Sequence, residues 1–577
     1  MSEHLAASCA ADDFAALAEV AFGVTSTAVP LAGEHDANAR LDVAGRPRYV
    51  LKVHAPGSDR IELQDAVLTW LAEHEPPVRT PRLVSSTNAN VAGSSRRVRL
   101  LDWIDGKVWA RITPTEWQLH ALGVAVAELD RSLEGFDHPD LAAPYRWNLI
   151  DAGSLRTSAA SLPAELQPFV DRVDQRLDDV LAALRKLPSQ AIHNDANEHN
   201  VLVGADGSIA GILDVGDVVR APRVGGLAVA AAYSQLGAAD PVAATLAVVR
   251  GYHSSCPLTP GELELLPDLI DLRLAMSIRN AADQQRDNPG NAYLSVSQPM
   301  IREAVLALAD EPPELRAARY RTACDLPAVE SEPSVVGWLR GPDCTPASIL
   351  RHDLRRAKVE VLDWSPAGPQ ELRVTGGPLR VAGEIDGLIG SRGAALAAGR
   401  YQEHRDVYRS DAFASNAADG ERRTVHLGVD LFVPAGEPVY AALDAIVHTV
   451  EFRADRYDYG GVVLLEHATG DGVPFWLLAG HLSAESAATL RPGQRLCRGD
   501  RFGSIGDVTE NGGWPPHVHV QLFTRLFGRS TDLPGVVRRS ELACWESISP
   551  DPNLLLGIPT PVRAVPDVAD HPTQKGA

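Results

Sequence analysis

The chain has 577 residues, 45% of them apolar and 22% charged, with a formal net charge of −21; that length favours three or four domains with separate cores. Such an acidic balance excludes nonspecific attachment to nucleic acid or anionic lipid. No apolar run approaches the roughly 18–20 residues of a membrane helix. In chain order, MSEHLAASCAADDFAALAEVAF comes first and reads as a short amphipathic helix. Its acidic residues stand where a secretory signal needs a basic start, so a cytoplasmic protein is expected. Cysteines 9, 256, 324, 344, 497 and 544 are scattered without a C-x-x-C pair, as buried thiols rather than a disulfide framework.

Residues 1–310 alternate apolar-periodic stretches with short turns, as a mixed α/β domain does. Within them, residues 191–217 read AIHNDANEHNVLVGADGSIAGILDVGD. Asn200-Val-Leu-Val and Ile209–Leu213 are strand-like around the turn Gly204-Ala-Asp-Gly207, which predicts an antiparallel hairpin. Such a hairpin makes Asn200 and Asp214 neighbours, with Asp195 on the preceding loop. Residues 311–420 turn rich in Pro, Gly and charge and read as a connector. Short strands such as KVEVLDW and one helix over GAALAAGRYQEHRDVY are expected there. Residues 421–545 carry short strands between Gly and Pro turns, which predicts an all-β unit. Residues 546–577 lack periodicity and read as a loose tail.

A single aspartate at a turn is ordinarily a cap or a surface charge. Here an amide oxygen and a carboxylate meet beside a further carboxylate, and oxygen ligands of this kind suit a magnesium–nucleotide site. The third carboxylate can then orient or deprotonate an attacking hydroxyl. HNDANEHN and LDVGD resemble the H-x-D-x4-N motif and metal-binding Asp of the aminoglycoside phosphotransferase/choline kinase-like family, over about residues 20–310. The resemblance implies a two-lobed, protein-kinase-like α+β domain, with an N-lobe over about 20–105 and a C-lobe over about 106–310. It makes Asp195 the catalytic base, gives magnesium to Asn200 and Asp214, and has His193 support the loop. Asp217 either orients that loop or is structural. Lys52 in RYVLKV would pair with the ATP phosphates, with Glu62 as its ion-pair partner and Asp65 as the alternative. AGEHDANARLDV stands where the phosphate-covering hairpin belongs and lacks a G-x-G-x-x-G, and VRLLDWIDG looks like the hinge. GEHDANARL, ELQDAVLTWL and RLAMSI…NAYLSVSQ are similar to the hydroxylysine-kinase-like branch, which implies an amino-alcohol substrate.

The second inventory is His426-Leu-Gly-Val-Asp430, His481 in LLAGHLS, and His517-Val-His519. Along VHLGVDLFV and HVHVQLF, apolar residues alternate with His426, Asp430, His517, His519 and Gln521, so each strand presents one apolar and one polar face. A lone histidine on a strand is usually a satisfied polar residue. If these strands are neighbours, His426, Asp430 and His519 converge and leave a fourth tetrahedral position open, as catalytic zinc requires. The pattern H-x3-D, H, H-x-H resembles the lysostaphin-like zinc endopeptidases over about residues 421–525. By that resemblance His426, Asp430 and His519 bind zinc, while His481 and His517 activate water or stabilise the tetrahedral intermediate.

The expected architecture is therefore multidomain: kinase-like domain, mixed connector, all-β lysostaphin-like domain, tail. The expected function is bifunctional, with an ATP-dependent kinase acting on the hydroxyl of a hydroxylysine- or ethanolamine-like amino alcohol, and a zinc metallopeptidase acting on a peptide or peptidoglycan-like substrate. Two alternatives stand beside it: a kinase with a non-catalytic zinc-binding scaffold, and an aminoglycoside-modifying phosphotransferase. ATP, Mg2+ and Zn2+ are the implied cofactors. SPDPNLLLGIP resembles the junction before a class III aminotransferase/phospholyase domain in known fusions, which implies such an enzyme as a partner. No nucleic-acid or membrane partner is expected.

Overall fold

Alternation in RPRYVLKV sends Leu51 and Val53 into a core and leaves Lys52 on the opposite face. The computed structural model describes residues 11–31, 33, 36–157, 162–287, 297–309, 311–369, 377–415 and 420–564. It divides into two compact units, Met1–Cys324 and Asp325–Ala577, where length had favoured three or four. In the first unit, α1 (Ala11–Phe22) is followed by β1 (Thr27–Leu31), β2 (Ala37–Val43) and β3 (Arg46–Val53). Next come α2 (Ile61–His74), β4 (Leu83–Val91) and β5 (Ser94–Asp102). The five strands form an antiparallel sheet in the order β1-β2-β3-β5-β4. Phe14 and Ala18 of α1 pack on its inner residues Ala39, Leu41, Leu51 and Val98.

A largely helical second lobe completes this unit. It contains β6 (Lys107–Val108), α3 (Glu116–Ser132), α4 (Gln167–Leu184), β7 (Ser189–Ile192), β8 (Val201–Val203), β9 (Ile209–Ile212) and β10 (Val219–Pro222). Then follow α5 (Arg223–Ser234), α6 (Pro241–Ser255), α7 (Pro260–Asp287), α8 (Gln298–Ala307) and α9 (Pro313–Ala323). Thr115 and Gln118 close a capping box at the start of α3. Helices α3 and α6 touch backbone to backbone: a Cβ on Gly123 would lie 2.0 Å from the Val248 carbonyl oxygen, and one on Gly251 2.0 Å from that of His120. On the same pair of helices the Tyr252 hydroxyl donates to Asp130 Oδ2 at 2.8 Å. Helix α9 is fastened to α7 by the buried, bidentate Arg316–Asp271 pair.

The second unit holds α10 (Glu332–Arg340), β11 (Val359–Val361), α11 (Pro378–Arg392), β12 (Leu396–Gly399), β13 (Val425–His426), β14 (Val429–Phe432), β15 (Pro438–Tyr440) and β16 (Ala445–Arg453). It continues with β17 (Gly460–Ala468), β18 (Pro474–Leu482), α12 (Ala484–Thr489), β19 (Arg495–Leu496), β20 (Arg501–Ser504), β21 (His517–Phe523), β22 (Val536–Val537), α13 (Leu542–Ile548) and α14 (Asn553–Leu556). An eight-stranded sheet runs β11-β12-β14-β21-β18-β17-β16-β19. Val429, Leu431, Val463, Leu465, Leu477, Val518, Val520 and Leu522 form its apolar face, each at most 1% exposed. Burial of that kind contributes about 1.5–3 kcal/mol per large side chain.

Three expectations are corrected. The connector is divided: α9 belongs to the first unit, while residues 325–420 contribute β11 and β12 to the main sheet of the second. The helix lies earlier than GAALAAGRYQEHRDVY. It begins at Pro378, where the missing N–H costs nothing, and ends before Gly393, whose φ of 58° caps it. Leu396–Gly399 then becomes a strand because its small residues fit between β11 and β14, overriding the helix propensity of alanine. Residues 546–564 are no loose tail, since Ile548, Leu555, Leu556 and Val562 are at most 4% exposed; residues 565–577 lie outside the described residues. So do residues 1–10 of the N-terminal segment, three positions of AGEHDANARLDV, and Asn291–Val296 of NAYLSVSQ. No helix among the described residues is long and apolar enough to cross a membrane.

Candidate active sites

The hairpin predicted between Asn200 and Leu213 forms, with Val201 opposite Ile212 and Leu213 N donating to the Asn200 carbonyl at 2.7 Å. It brings Asn200 beside the turn that carries Asp214, a non-glycine residue held at φ 58°. Asn200 Nδ2 donates to Asp195 Oδ2 at 2.6 Å and to the Asp195 carbonyl at 3.0 Å, so its amide oxygen is the atom left for a cation. Asp195 Oδ1 accepts from Asn197 Nδ2 at 3.0 Å and Arg273 Nη2 at 3.1 Å. His193, 3% exposed, accepts the Asp195 N–H at Nδ1 (3.3 Å) and thus shapes the loop.

Lys52 reaches Asp214 Oδ2 at 3.1 Å, while Gly216 N donates to Oδ1 at 3.0 Å. This corrects the expected Lys52–Glu62 pair. Glu62 is exposed on the first turn of α2. The alternative, Asp65, is taken by Arg99, which lies opposite Lys52 in the sheet and meets Asp65 Oδ1 at 2.8 Å. Lys52 holds Asp214 down to about 2, so Asp214 is ionised at neutral pH. Burial and the nearby Asp217 push Asp195 well above the usual carboxylate range, and Arg273 opposes them. Tyr145 donates its hydroxyl to Asp217. Burial lowers His193 to about 4, so it acts as a neutral ring.

In the second unit, Asp430 and His519 are direct cross-strand partners on β14 and β21. The continuous strand expected over VHLGVDLFV divides: Val425–His426 pairs with β22, and Val429–Phe432 with β12 and β21. The break falls at Gly428, where a Cβ would stand 2.3 Å from Cε1 of His519. Glycine therefore lets His426 fold over the Asp430–His519 pair. His426 Nε2, His519 Nδ1 and Asp430 Oδ1 lie 3.0, 3.0 and 3.2 Å apart.

The outer atoms of these rings decide what the inner ones offer. His426 Nδ1 faces the Arg400 carbonyl at 2.9 Å and so carries the proton, freeing Nε2. His519 Nε2 meets Gln521 Oε1 at 3.0 Å. Gln521 is fixed in that orientation, because its Nε2 donates to the Pro534 carbonyl and to Ser549 Oγ. Arg405 Nη1 donates to Asp430 Oδ2 at 2.7 Å. Three lone pairs therefore point at one place, an arrangement that demands a cation. Zinc bonded at about 2 Å to each donor requires a donor spacing of about 3.3 Å in a tetrahedron, so this set fits it.

His481 and His517 stand beside the triad, their rings 4.3 Å apart. Each is anchored through Nδ1, to the Asn511 carbonyl at 2.9 Å and the Pro515 carbonyl at 2.6 Å, leaving both Nε2 atoms for chemistry. Burial depresses both rings, and His426 to about 4, so they are neutral at pH 7. Burial alone would raise Asp430, but His426 and Arg405 hold it well below the usual range. The cleft in front has a volume of about 420 Å3, with Tyr408, Phe413, Tyr457 and Trp514 on one wall.

The sequence did not single out Arg273, Arg400, Arg405 or Asn197. A signal existed for three of them: Arg273 is a charge within the apolar run LIDLRLAM, and Arg400 and Arg405 belong to the dense charge pattern of RYQEHRD.

A strand lysine joined to a hairpin carboxylate beside a loop aspartate defines a kinase-like phosphotransferase domain, and the histidine–aspartate cluster on a sheet defines a metallopeptidase-type domain. Residues 27–266 match the phosphotransferase enzyme family and residues 424–532 match peptidase family M23. The chain thus carries a domain of each family. It is similar to the hydroxylysine kinase of Mus musculus, 28% identical over 317 residues, which span 49% of this chain and 84% of that protein. The hydroxylysine kinase of Bos taurus is 29% identical over the same shares. A solved microcompartment-associated aminopropanol kinase is 16% identical with a TM-score of 0.41, covering 55% of this chain and 99% of that one. Phosphotransferases of this family use ATP and a divalent metal, and M23 peptidases are zinc-dependent.

Proposed function

We propose that the first unit is an ATP-dependent kinase that phosphorylates the hydroxyl of a hydroxylysine- or ethanolamine-like amino alcohol. The convergence of Lys52, Asp195, Asn200 and Asp214 carries this reading, and the likeness to hydroxylysine kinases supports the acceptor class. Asp195 accepts the proton of the attacking hydroxyl, and Asn200 and Arg273 hold its carboxylate in place. Lys52 would pair with the nucleotide phosphates, and Asn200 and Asp214 would hold magnesium. Bound magnesium neutralises the charge that develops on the transferred phosphoryl group. An ATP-consumption screen over hydroxylysine, ethanolamine, choline and aminoglycosides tests the reading. Turnover confined to aminoglycosides would replace it. The phosphorylated product suits elimination of phosphate by a separate phospholyase.

We also propose that the second unit is a zinc hydrolase cleaving an amide bond of a peptide. The inward-facing donors of His426, Asp430 and His519 carry this reading. Zinc held there acts as a Lewis acid toward water and the scissile carbonyl. His481 and His517 present Nε2 to the same cleft, to take the proton of the attacking water and to hydrogen-bond the developing oxyanion. Digestion of peptidoglycan and of peptide libraries by the zinc-loaded chain tests it; a zinc-loaded chain inert toward both would favour the scaffold.

A further inference from the structure

Glu198 is a charged group of the first unit that phosphoryl transfer leaves unused. It lies three residues beyond Asp195 on the same loop, yet it is only 4% exposed. A carboxylate taken out of water normally brings its own cation. Oε1 accepts from Ser297 Oγ at 2.5 Å and faces His199 Nε2 at 3.5 Å. Oε2 is buried and has no hydrogen-bond partner. Arg273, the buried arginine of the neighbourhood, turns both Nη atoms elsewhere, Nη2 to Asp195 and Nη1 to the Trp147 carbonyl, and its guanidinium lies over the Trp147 ring. Tyr233 on α5 lies beside the same arginine, whose guanidinium is 5.4 Å from its ring centroid. Besides burial, the charges of both Glu198 and Asp195 raise its hydroxyl, and Arg273 opposes them.

A bare, buried carboxylate oxygen is costly, and a fold that retains one reserves it for a donor. We propose that Oε2 of Glu198 receives the ammonium group of the acceptor substrate while Asp195 receives its hydroxyl. This rests on the amino-alcohol reading of the kinase site. In a vicinal amino alcohol the nitrogen and oxygen lie about 3 Å apart in the gauche rotamer. With a charge-assisted hydrogen bond of about 2.8 Å at each end, the two carboxylates bracket a span of up to about 9 Å. Residues three apart on one loop are within about 10 Å of each other along the backbone, so the pair suits a substrate whose amine neighbours its hydroxyl. A simple alcohol would leave Oε2 unpaired, and sites built around such a group reject the analogue that lacks it.

The test compares ethanolamine with ethanol, as acceptors for the full chain with ATP, in the wild type, Glu198→Gln and Glu198→Asp. The wild type is expected to prefer ethanolamine in kcat/KM by about 100-fold or more. Glu198→Gln should erase that preference, with the loss expressed in KM for ethanolamine rather than KM for ATP, and Glu198→Asp should recover part of it. Glu198→Gln that keeps the preference overturns the assignment. So does equal damage to both acceptors and to thermal stability, which would mark Glu198 as structural. A wild type that phosphorylates no amino alcohol brings down the kinase reading itself and this inference with it, a failure visible before any variant is made.

Discussion

The two sites on this chain are built in opposite ways. In the second unit the three donors sit on or beside neighbouring strands, at most 3% exposed, and each is fixed from behind by a carbonyl, an amide or an arginine. In the first unit Asp195 and Asn200 stand on a loop, and the Asp214 side chain is 45% exposed and bonded to a lysine of the other lobe. The metal donors are each held by a partner behind them, whereas the phosphotransfer residues are joined across the two lobes through the Lys52–Asp214 contact. Both sites carry non-glycine residues in left-handed backbone beside the chemistry, Asn194 and Asp214 in one and His481 in the other. Such residues cost about 1–3 kcal/mol each and persist where the surroundings hold them.

Separate disabling of the two sites breaks the comparison most sharply. Asp195→Asn should lower ATP-dependent turnover by roughly 10^2–10^4-fold, while zinc per chain, measured by atomic spectroscopy, does not change. His519→Ala should remove bound zinc outright, and Gln521→Ala, which only loosens the ring from behind, should weaken zinc affinity by about 10–100-fold in a chelator competition. If Gln521→Ala binds zinc like the wild type, the second unit is less preorganised than described. Arg273→Met takes away the charge that lowers Asp195. The acid limb of kcat/KM against pH should then move upward by about one to three units, because the base must be ionised to act.

The smallest effect concerns stability. Burial raises Asp130 to about 7, above the roughly 3.9 of an unfolded aspartate. The folded unit then binds this proton more tightly, so its stabilisation is fully present below pH 4 and is lost as pH rises through 7. Asp130→Asn should flatten that decline, narrowing the difference in melting temperature between pH 5 and pH 8 by about 2–4 °C. Equal pH dependence in variant and wild type would show that Asp130 is ionised in the fold.

Much of both sites was legible because local periodicity fixes strand faces. The 200–213 hairpin follows from its turn, and Asp430, His517 and His519 share a face by alternation alone. What escaped depends on contacts between distant segments. Lys52 pairs with Asp214 because Arg99, 47 residues further on in the sequence and opposite it in the sheet, has already taken Asp65. Leu396–Gly399 is a strand because two others flank it, which an alanine-rich stretch does not announce. The division at Gly428 comes from the bulk of the His519 ring, 91 residues away.

Strand β12 has a practical consequence. Gly399 pairs directly with Asp430, and Arg400 and Arg405 follow it, all upstream of residue 424, where the M23 match begins. A fragment trimmed to that match would keep His426, Asp430 and His519 but lose the carbonyl that orients the first, the guanidinium that steadies the second, and the strand that covers the sheet edge. Its exposed edge would invite self-association. The boundary that identifies the peptidase domain is therefore not where it can be cut, and the compact unit that contains it begins at Asp325.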